Sequence, residues 1–301
     1  MASNRRCRRY AAANNKGGVG KSTLICRLAE ELAARGHRVL VGDGDPQGNV
    51  SRMLGHNEEA LLQRPTINEV VLAARPGCAA DAILPCAWDQ LDDMPNEVYE
   101  LAQRIDLLPA RFDYELRLGE AAGHEPGSAM ARHARQRLAV ALSGGVLDEY
   151  DFFLMDLPPS IGPLTHMGLD AISDVEDEEE AGGVIIPLYP DYDPISGAVR
   201  MRDLVTAGAR DWERPFLRTA GVVINRFDPH RKKSQERDYL PFAKDTFAGQ
   251  LIGPVFHERA PIAEVGSLGY PLRSQPNWRI RDNVKEFGQV VEVMEKGRVA
   301  A

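Results

Sequence analysis

The 301-residue chain is 44% hydrophobic and 27% charged, which suits a soluble protein with a sizeable core and excludes a disordered polymer. Its formal charge of −8 excludes a polycation that coats nucleic acid, so any DNA contact must come from a local basic patch. Cys7, Cys26, Cys78 and Cys86 form neither a C-x-x-C pair nor zinc spacing, and no apolar run nears the about 20 residues that cross a bilayer; a reduced, cytoplasmic protein is expected.

Residues 1–9 hold Arg5, Arg6, Arg8 and Arg9, which read as a solvated basic tail rather than as phosphate contacts. They leave no room for a helix-turn-helix domain ahead of the first motif. A short apolar run, Tyr10 to Ala13, leads into Asn14-Asn15-Lys16-Gly17-Gly18-Val19-Gly20-Lys21-Ser22-Thr23, and an amphipathic helical pattern follows. Strand, glycine-rich loop and helix in that order is the setting of a phosphate-binding loop. Gly17, Gly18 and Gly20 free the backbone to turn consecutive N–H groups inward around phosphate oxygens. The helix N-terminus adds partial positive charge at the same place. Lys21 would reach the β- and γ-phosphates and the Ser22 hydroxyl would ligate Mg²⁺, with Val19 and Thr23 completing the nucleotide contacts.

The general pattern G-x-x-x-x-G-K-[ST] would put its first glycine at position 15, where the chain has Asn15, and a second lysine, Lys16, opens the loop. With Lys16 as a signature residue, the segment resembles the deviant Walker A motif of the ParA/MinD family of ATPases. The resemblance implies ATP and Mg²⁺ as ligands and a homodimer closed around two ATP molecules. Lys16 would then cross to the partner's phosphates.

From Ser22 to Arg35 the apolar positions Leu24, Ile25, Leu28 and Leu32 have helical spacing, and Gly36 stops the helix. Arg38 to Gly42 is predicted as a buried strand, followed by Asp43-Gly44-Asp45-Pro46-Gln47-Gly48-Asn49. Two carboxylates at a strand end beside a phosphate loop suit a metal and an attacking water; the same letters equally suit an ordinary Asp-Gly turn. The segment resembles the switch of ParA-like proteins, which implies that Asp45 orients the hydrolytic water and Asp43 lies near the Mg²⁺ shell.

Residues 51–130 carry helical patches at Ile67 to Ala74 and Glu97 to Gln103 and a strand at Ile105 to Leu108. They are expected to form a variable helical region outside the ATP chemistry, with Trp88 and His124 in packing roles. Ala131 to Leu142 is helical and Gly144-Gly145 breaks it. Tyr150 to Leu157 is an apolar strand with Asp156 near its tip, a weak signal for a Walker B acid by itself. Followed by Pro158-Pro159, it resembles the family's ending, which implies that Asp156 holds Mg²⁺.

Six of the seven residues 174–180 are acidic and are expected in a solvated loop insertion spanning 174–183, not a metal site. Val184 to Leu188 predicts a strand, Ser196 to Ala209 a helix with Arg200 and Arg202, and Gly221 to Arg226 another buried strand. Asn225 at that tip can donate to and accept from a purine edge, or simply cap the strand. By the resemblance it contacts adenine, with Arg226 beside it. Arg231, Lys232 and Lys233, with Arg200 and Arg202, are the candidate DNA contacts, weighed evenly against a solvated helix start. Ala260 to Gly266 and then Gly269-Tyr270-Pro271-Leu272 resemble the family's C-terminal segment, which closes over the nucleotide, with Pro261 as a nucleotide contact. The last helix, about Val284 to Met294, has a mixed polar face, unlike the basic face of a membrane-surface helix.

Strands alternating with helices, with nucleotide motifs at strand ends, predict a doubly wound, mainly parallel α/β sheet over residues 1–301 as one domain. The resemblance is to ParA/Soj-type partition ATPases above all. It implies slow hydrolysis stimulated by a ParB-like adaptor, non-specific DNA binding by a nucleoid-associated ATP dimer, and plasmid or chromosome partition. Three alternatives keep the fold: an ATP-gated positioning protein for a protein cargo, a MinD-like division-site regulator, and an iron–sulfur carrier or nitrogenase-type reductase, whose poised cysteines the spacing here does not suggest.

Overall fold

β1 (Arg8–Ala12) alternates: Tyr10 and Ala12 face one hydrophobic cluster, while Ala11 and the following Ala13 face another. A strand buried on both sides sits inside a sheet with helices on each face. β1 does so, paired in parallel with β5 (Phe152–Asp156) on one flank and β6 (Ala181–Leu188) on the other. Adding β2 (Val39–Asp43), β3 (Leu84–Pro85), β4 (Ile105–Leu108) and β7 (Thr219–Ile224), the sheet has seven strands in the order β3-β4-β2-β5-β1-β6-β7. Every pairing is parallel except that of the short edge strand β3 with β4. This computed structural model describes residues 6–91, 94–112, 128–228 and 236–297.

The chain leaves β1 toward β2 and β4 on one side, then returns through β5 to leave by β6 and β7 on the other. The winding thus reverses around β1, and the carboxyl ends of the strands open a crevice there. Helices Lys21–Ala34, Asn96–Ala102 and Asn277–Lys296 pack on one face. Ala129–Leu142, Pro163–Ser173 and Tyr192–Asp211 pack on the other. In Lys21–Ala34 the expected Leu24, Ile25, Leu28 and Leu32 are all buried, and Gly36 turns the chain away with φ of +93°. Trp88 packs in the core as expected, its Nε1 donating to the Met53 carbonyl at 2.9 Å; His124 lies outside the described residues.

Three expected boundaries are corrected. The basic tail gives Arg8 and Arg9 to β1, and neither guanidinium is left to solvent alone: Arg8 donates to the Met294 and Glu295 carbonyls, Arg9 to the Asp174 carbonyl. Apolar arginine stems cover the sheet end while the heads find oxygens. The acidic loop ends at Glu180, because 181–183 already belong to β6, and four of its six carboxylates face arginines: Asp174 meets Arg214, Asp177 and Glu179 meet Arg6, and Glu178 meets Arg218. The last helix starts at Asn277, two turns before the expected apolar stripe, because its first two turns expose Asn277, Trp278, Arg281 and Asp282 and bury Ile280 and Asn283. Helix Pro163–Ser173 had no expectation at all; Pro163 at its first position suits a helix start, where no N–H is needed.

Candidate nucleotide site

Four strand ends deliver the predicted residues to one crevice. β1 runs into the loop 14–20, and β5 ends at Asp156, which is in register with Ala12 on one side and Asp43 on the other. β7 ends one residue before Asn225. Gly18 and Gly20 hold φ of +75° and +88°, a left-handed backbone open to glycine without strain. At Gly20 a Cβ would also lie 2.4 Å from Asn225 Nδ2. Helix Lys21–Ala34 starts directly after Gly20, and no side chain caps it. Its first N–H groups are therefore open to an anion.

Lys21 is buried, with Nζ 3.5 Å from the Lys16 carbonyl oxygen. Burial lowers its pKa, against the pull of Asp156 and Asp45. Asp156 is fully buried, and among the described residues neither carboxylate oxygen has a hydrogen-bond partner. Burial pushes its pKa well above the usual carboxylate range and the neighbouring Asp43 adds to this; Ser22 and Lys21 act in the opposite sense. The Ser22 hydroxyl thus stands close to Asp156 without completing a hydrogen bond to it. A buried carboxylate left with bare lone pairs costs stability unless a cation completes it. With a hydroxyl and a carboxylate, the donor set is the oxygen-only kind that Mg²⁺ takes, so the residues fit that ion.

Asp43 is used differently. Its Oδ1 accepts from the Asp45 N–H at 3.2 Å, and its Oδ2 accepts from the Ser51 N–H at 2.9 Å and the Ser51 hydroxyl at 2.8 Å. Burial still raises its pKa to about 6. Its lone pairs brace the segment 45–51, and the bare carboxylate beside the loop is that of Asp156. Asp45 lines the cavity while its Oδ1 accepts from the Gln47 N–H at 3.0 Å.

A cavity of about 580 Å³ joins Gly17, Gly18 and Gly20 through Thr23 with Asp45, Asn225 and Arg226. A second group of wall residues was announced by no motif: Arg52, Met53, Phe256, Arg259 and Phe287; Ile262, also in the wall, lies in the segment expected to close over the nucleotide. Arg52 and Met53 come from the region expected to stand outside the ATP chemistry, so that expectation is corrected at its edge. The one signal for Arg52 was its place a helical turn beyond Asn49; the aromatic pair had none. Val19 is buried and reaches the site only through its carbonyl, which accepts from Asn225 Nδ2 at 3.2 Å. Pro261 is buried behind the wall, which the next residues, Ile262 and Ala263, form instead. Arg226 holds φ of +56° and donates to the Gly18 carbonyl at 2.9 Å.

Lys16 is exposed, with Nζ 2.8 Å from Asp193 in the first turn of helix Tyr192–Asp211; the hydrogen bond and charge of Asp193 raise its pKa. Of the candidate DNA contacts, Arg200 is exposed, whereas Arg202 lies over the Phe247 ring and beside Asp203. Arg231, Lys232 and Lys233 lie outside the described residues.

The CobQ/CobB/MinD/ParA nucleotide-binding domain matches residues 10–271. An uncharacterised protein of Mycobacterium tuberculosis is 34% identical over 265 residues, covering 87% of this chain and 71% of that one. The chromosome-partitioning ATPase Soj of Thermus thermophilus is 30% identical over 266 residues, covering 87% of this chain and 86% of Soj. Among solved structures, an ATP complex of a Cyanothece McdA variant superposes with a TM-score of 0.72 at 20% identity over 98% of both chains. MinD from Pyrococcus horikoshii, solved with Mg-ADP, superposes with a TM-score of 0.64 at 20% identity over 96% of both. Likeness at such identities speaks for the fold.

Proposed function

The chain belongs to the CobQ/CobB/MinD/ParA nucleotide-binding family, with ParA and Soj among its relatives, and from that premise we propose that it is an ATP-dependent dimerising ATPase of the ParA type. The observation that carries this reading is the bare, buried Asp156 carboxylate beside Ser22 and Lys21, under an uncapped glycine loop. A chain that keeps such a costly carboxylate has a cation and an anion to place there.

The loop N–H groups and Lys21 would hold the β- and γ-phosphates, and Asp156 with Ser22 would hold Mg²⁺, which when bound supplies positive charge across the phosphate oxygens. Asp45 would hold the attacking water, with Asp43 bracing the segment behind it. Phosphoryl transfer asks for little else, because positioning and electrostatic stabilisation do most of the work. Lys16, exposed at the loop, would exchange Asp193 for the triphosphate of a second copy. Contact between a γ-phosphate and the segment 45–49 would couple the ATP state to dimerisation. Asn225 and Arg226 would face the base.

The ATP dimer would bind DNA without sequence preference and drive plasmid or chromosome partition, with a ParB-like adaptor stimulating hydrolysis. Arg200, Arg231, Lys232 and Lys233 are the candidate phosphate contacts. The MinD-like alternative is disfavoured by one observation: Ile280, Phe287, Val291 and Met294 of the last helix are buried in the core, so its apolar stripe is not presented to a membrane.

Sedimentation with ATP, ADP or no nucleotide, followed by DNA binding across a salt series, tests the proposal. Dimers and DNA complexes should form with ATP alone, and DNA affinity should fall steeply with salt. Lys16→Ala should stay monomeric. A wild type that remains monomeric in ATP, or a Lys16→Ala chain that dimerises and hydrolyses normally, sinks the reading. An ATP dimer indifferent to DNA would move it to the positioning of a protein cargo.

A further inference from the structure

The cavity wall facing away from the phosphate loop is built on a short helix, Ala260–Leu268, which presents Ile262, Ala263 and Gly266. Within that helix only Pro261 and Val265 are buried, a small apolar anchor for a wall that must keep its distance from the loop. What holds it comes next in the chain. Glu30, on the helix that starts at the phosphate loop, is fully buried and accepts from the Leu272 N–H at 2.9 Å, the Arg273 N–H at 2.8 Å and the Arg27 guanidinium at 2.6 Å. Arg27 is equally buried and donates to the Tyr270 carbonyl at 3.0 Å. Arg273 closes the set by pairing with Glu31 at 2.6 Å.

A buried ion pair is a poor device for stability, since well-packed apolar residues usually do as well, and a better one for fixing a geometry. Here it bolts the segment 270–273 to the phosphate-loop helix. The other side of the wall is fitted as closely. Gly269 holds φ of +72°, and a Cβ there would lie 2.6 Å from the carbonyl oxygen of Arg52, in the helix that ends the switch.

We propose that Glu30 is a positioning residue for the base end of the nucleotide: through it the phosphate-loop helix carries the opposite wall at a set distance. The inference rests on the cavity being a nucleoside triphosphate site. It makes a demand that a merely structural role does not. The loop touches phosphates and the wall touches base and sugar, so loss of Glu30 must weaken one kind of contact and spare the other.

The test is calorimetric binding of ATP and of inorganic tripolyphosphate, each with Mg²⁺, to the full chain and to Glu30→Gln, with KM and kcat for ATP alongside. A lost charge-assisted hydrogen bond sets the scale: ATP affinity should fall about tenfold or more, with tripolyphosphate affinity within about twofold. KM should rise and kcat change by less than about twofold. Should Glu30→Gln not fold with Arg27 uncompensated, Gly269→Ala displaces the wall from outside and should show the same split. Equal loss for both ligands, or loss for neither, overturns the clamp. A wild type that binds neither ligand overturns the nucleotide reading and the clamp with it.

Discussion

The two ends of the sheet are both rich in charge and use it in opposite ways. At the amino ends of β1 and β6 the acids are balanced within the chain. Asp170 is fully buried, takes Arg214 through both oxygens and Arg135 through one, and Asp174 shares Arg214. At the carboxyl ends Asp156 has no hydrogen-bond partner among the described residues, Lys21 is held below its ordinary pKa and Asp43 above its own. Balanced charges fix how elements sit against one another and are costly to break singly; charges left unbalanced mark where a ligand can complete the structure. The acidic run 174–180 drew the eye in the sequence and proved to be the balanced end.

Breaking that contrast should give effects of opposite sign. Asp170→Ala leaves two arginines without their buried acid and should cost about 3–5 kcal/mol in a denaturant melt, with turnover per folded molecule unchanged. Asp156→Asn removes a buried acid whose ionised form the fold opposes and should stabilise the nucleotide-free protein by about 1–3 kcal/mol. The same substitution should cut Mg²⁺-dependent hydrolysis at least about 100-fold, so melting and activity move in opposite directions. If both fall together, Asp156 is a structural acid.

A smaller effect reads the balanced end by titration. His166 lies one turn before Asp170 on the same helix, against Trp212, and its pKa is lowered by burial and then by Arg135. Its folded pKa lies below its ordinary value of 6.5, so its contribution to stability is present above that pH and lost as pH falls through the folded value. Urea midpoints of the wild type should drop on acidification below about pH 6.5, and His166→Gln should flatten that slope. The smallest effect is expected at the rim. Arg6 pairs with Asp177 and Glu179 while its side chain is 43% exposed, so Arg6→Ala should change stability by less than about 1 kcal/mol in the same melts.

Much of the candidate site was legible because it is made of neighbours in the chain. The loop from Lys16 to Thr23 carries its own geometry in glycine positions and in the helix that follows. Asp45, Asp156 and Asn225 each sit at or just past the end of an apolar strand, and parallel strands bring such ends together, but that position suits a turn or a strand cap equally; the resemblance to the ParA/MinD family singled them out. The difference between Asp43 and Asp156 was not legible. Both are acids at strand ends, and only the hydrogen bonds from Asp45 and Ser51 separate a braced carboxylate from a bare one.

What the amino-acid order determined by itself is therefore local: a glycine-rich loop, the strands and helices around it, and the α/β class. What tertiary structure alone decided is partnership. Phe256 and Phe287 became part of a cavity wall, Glu30 became the anchor of the segment 270–273, and four of the acids of 174–180 found arginines far away in the chain. The physical reason is that backbone conformation depends on a residue and its neighbours, whereas the free energy of a buried charge depends on which groups the fold sets against it.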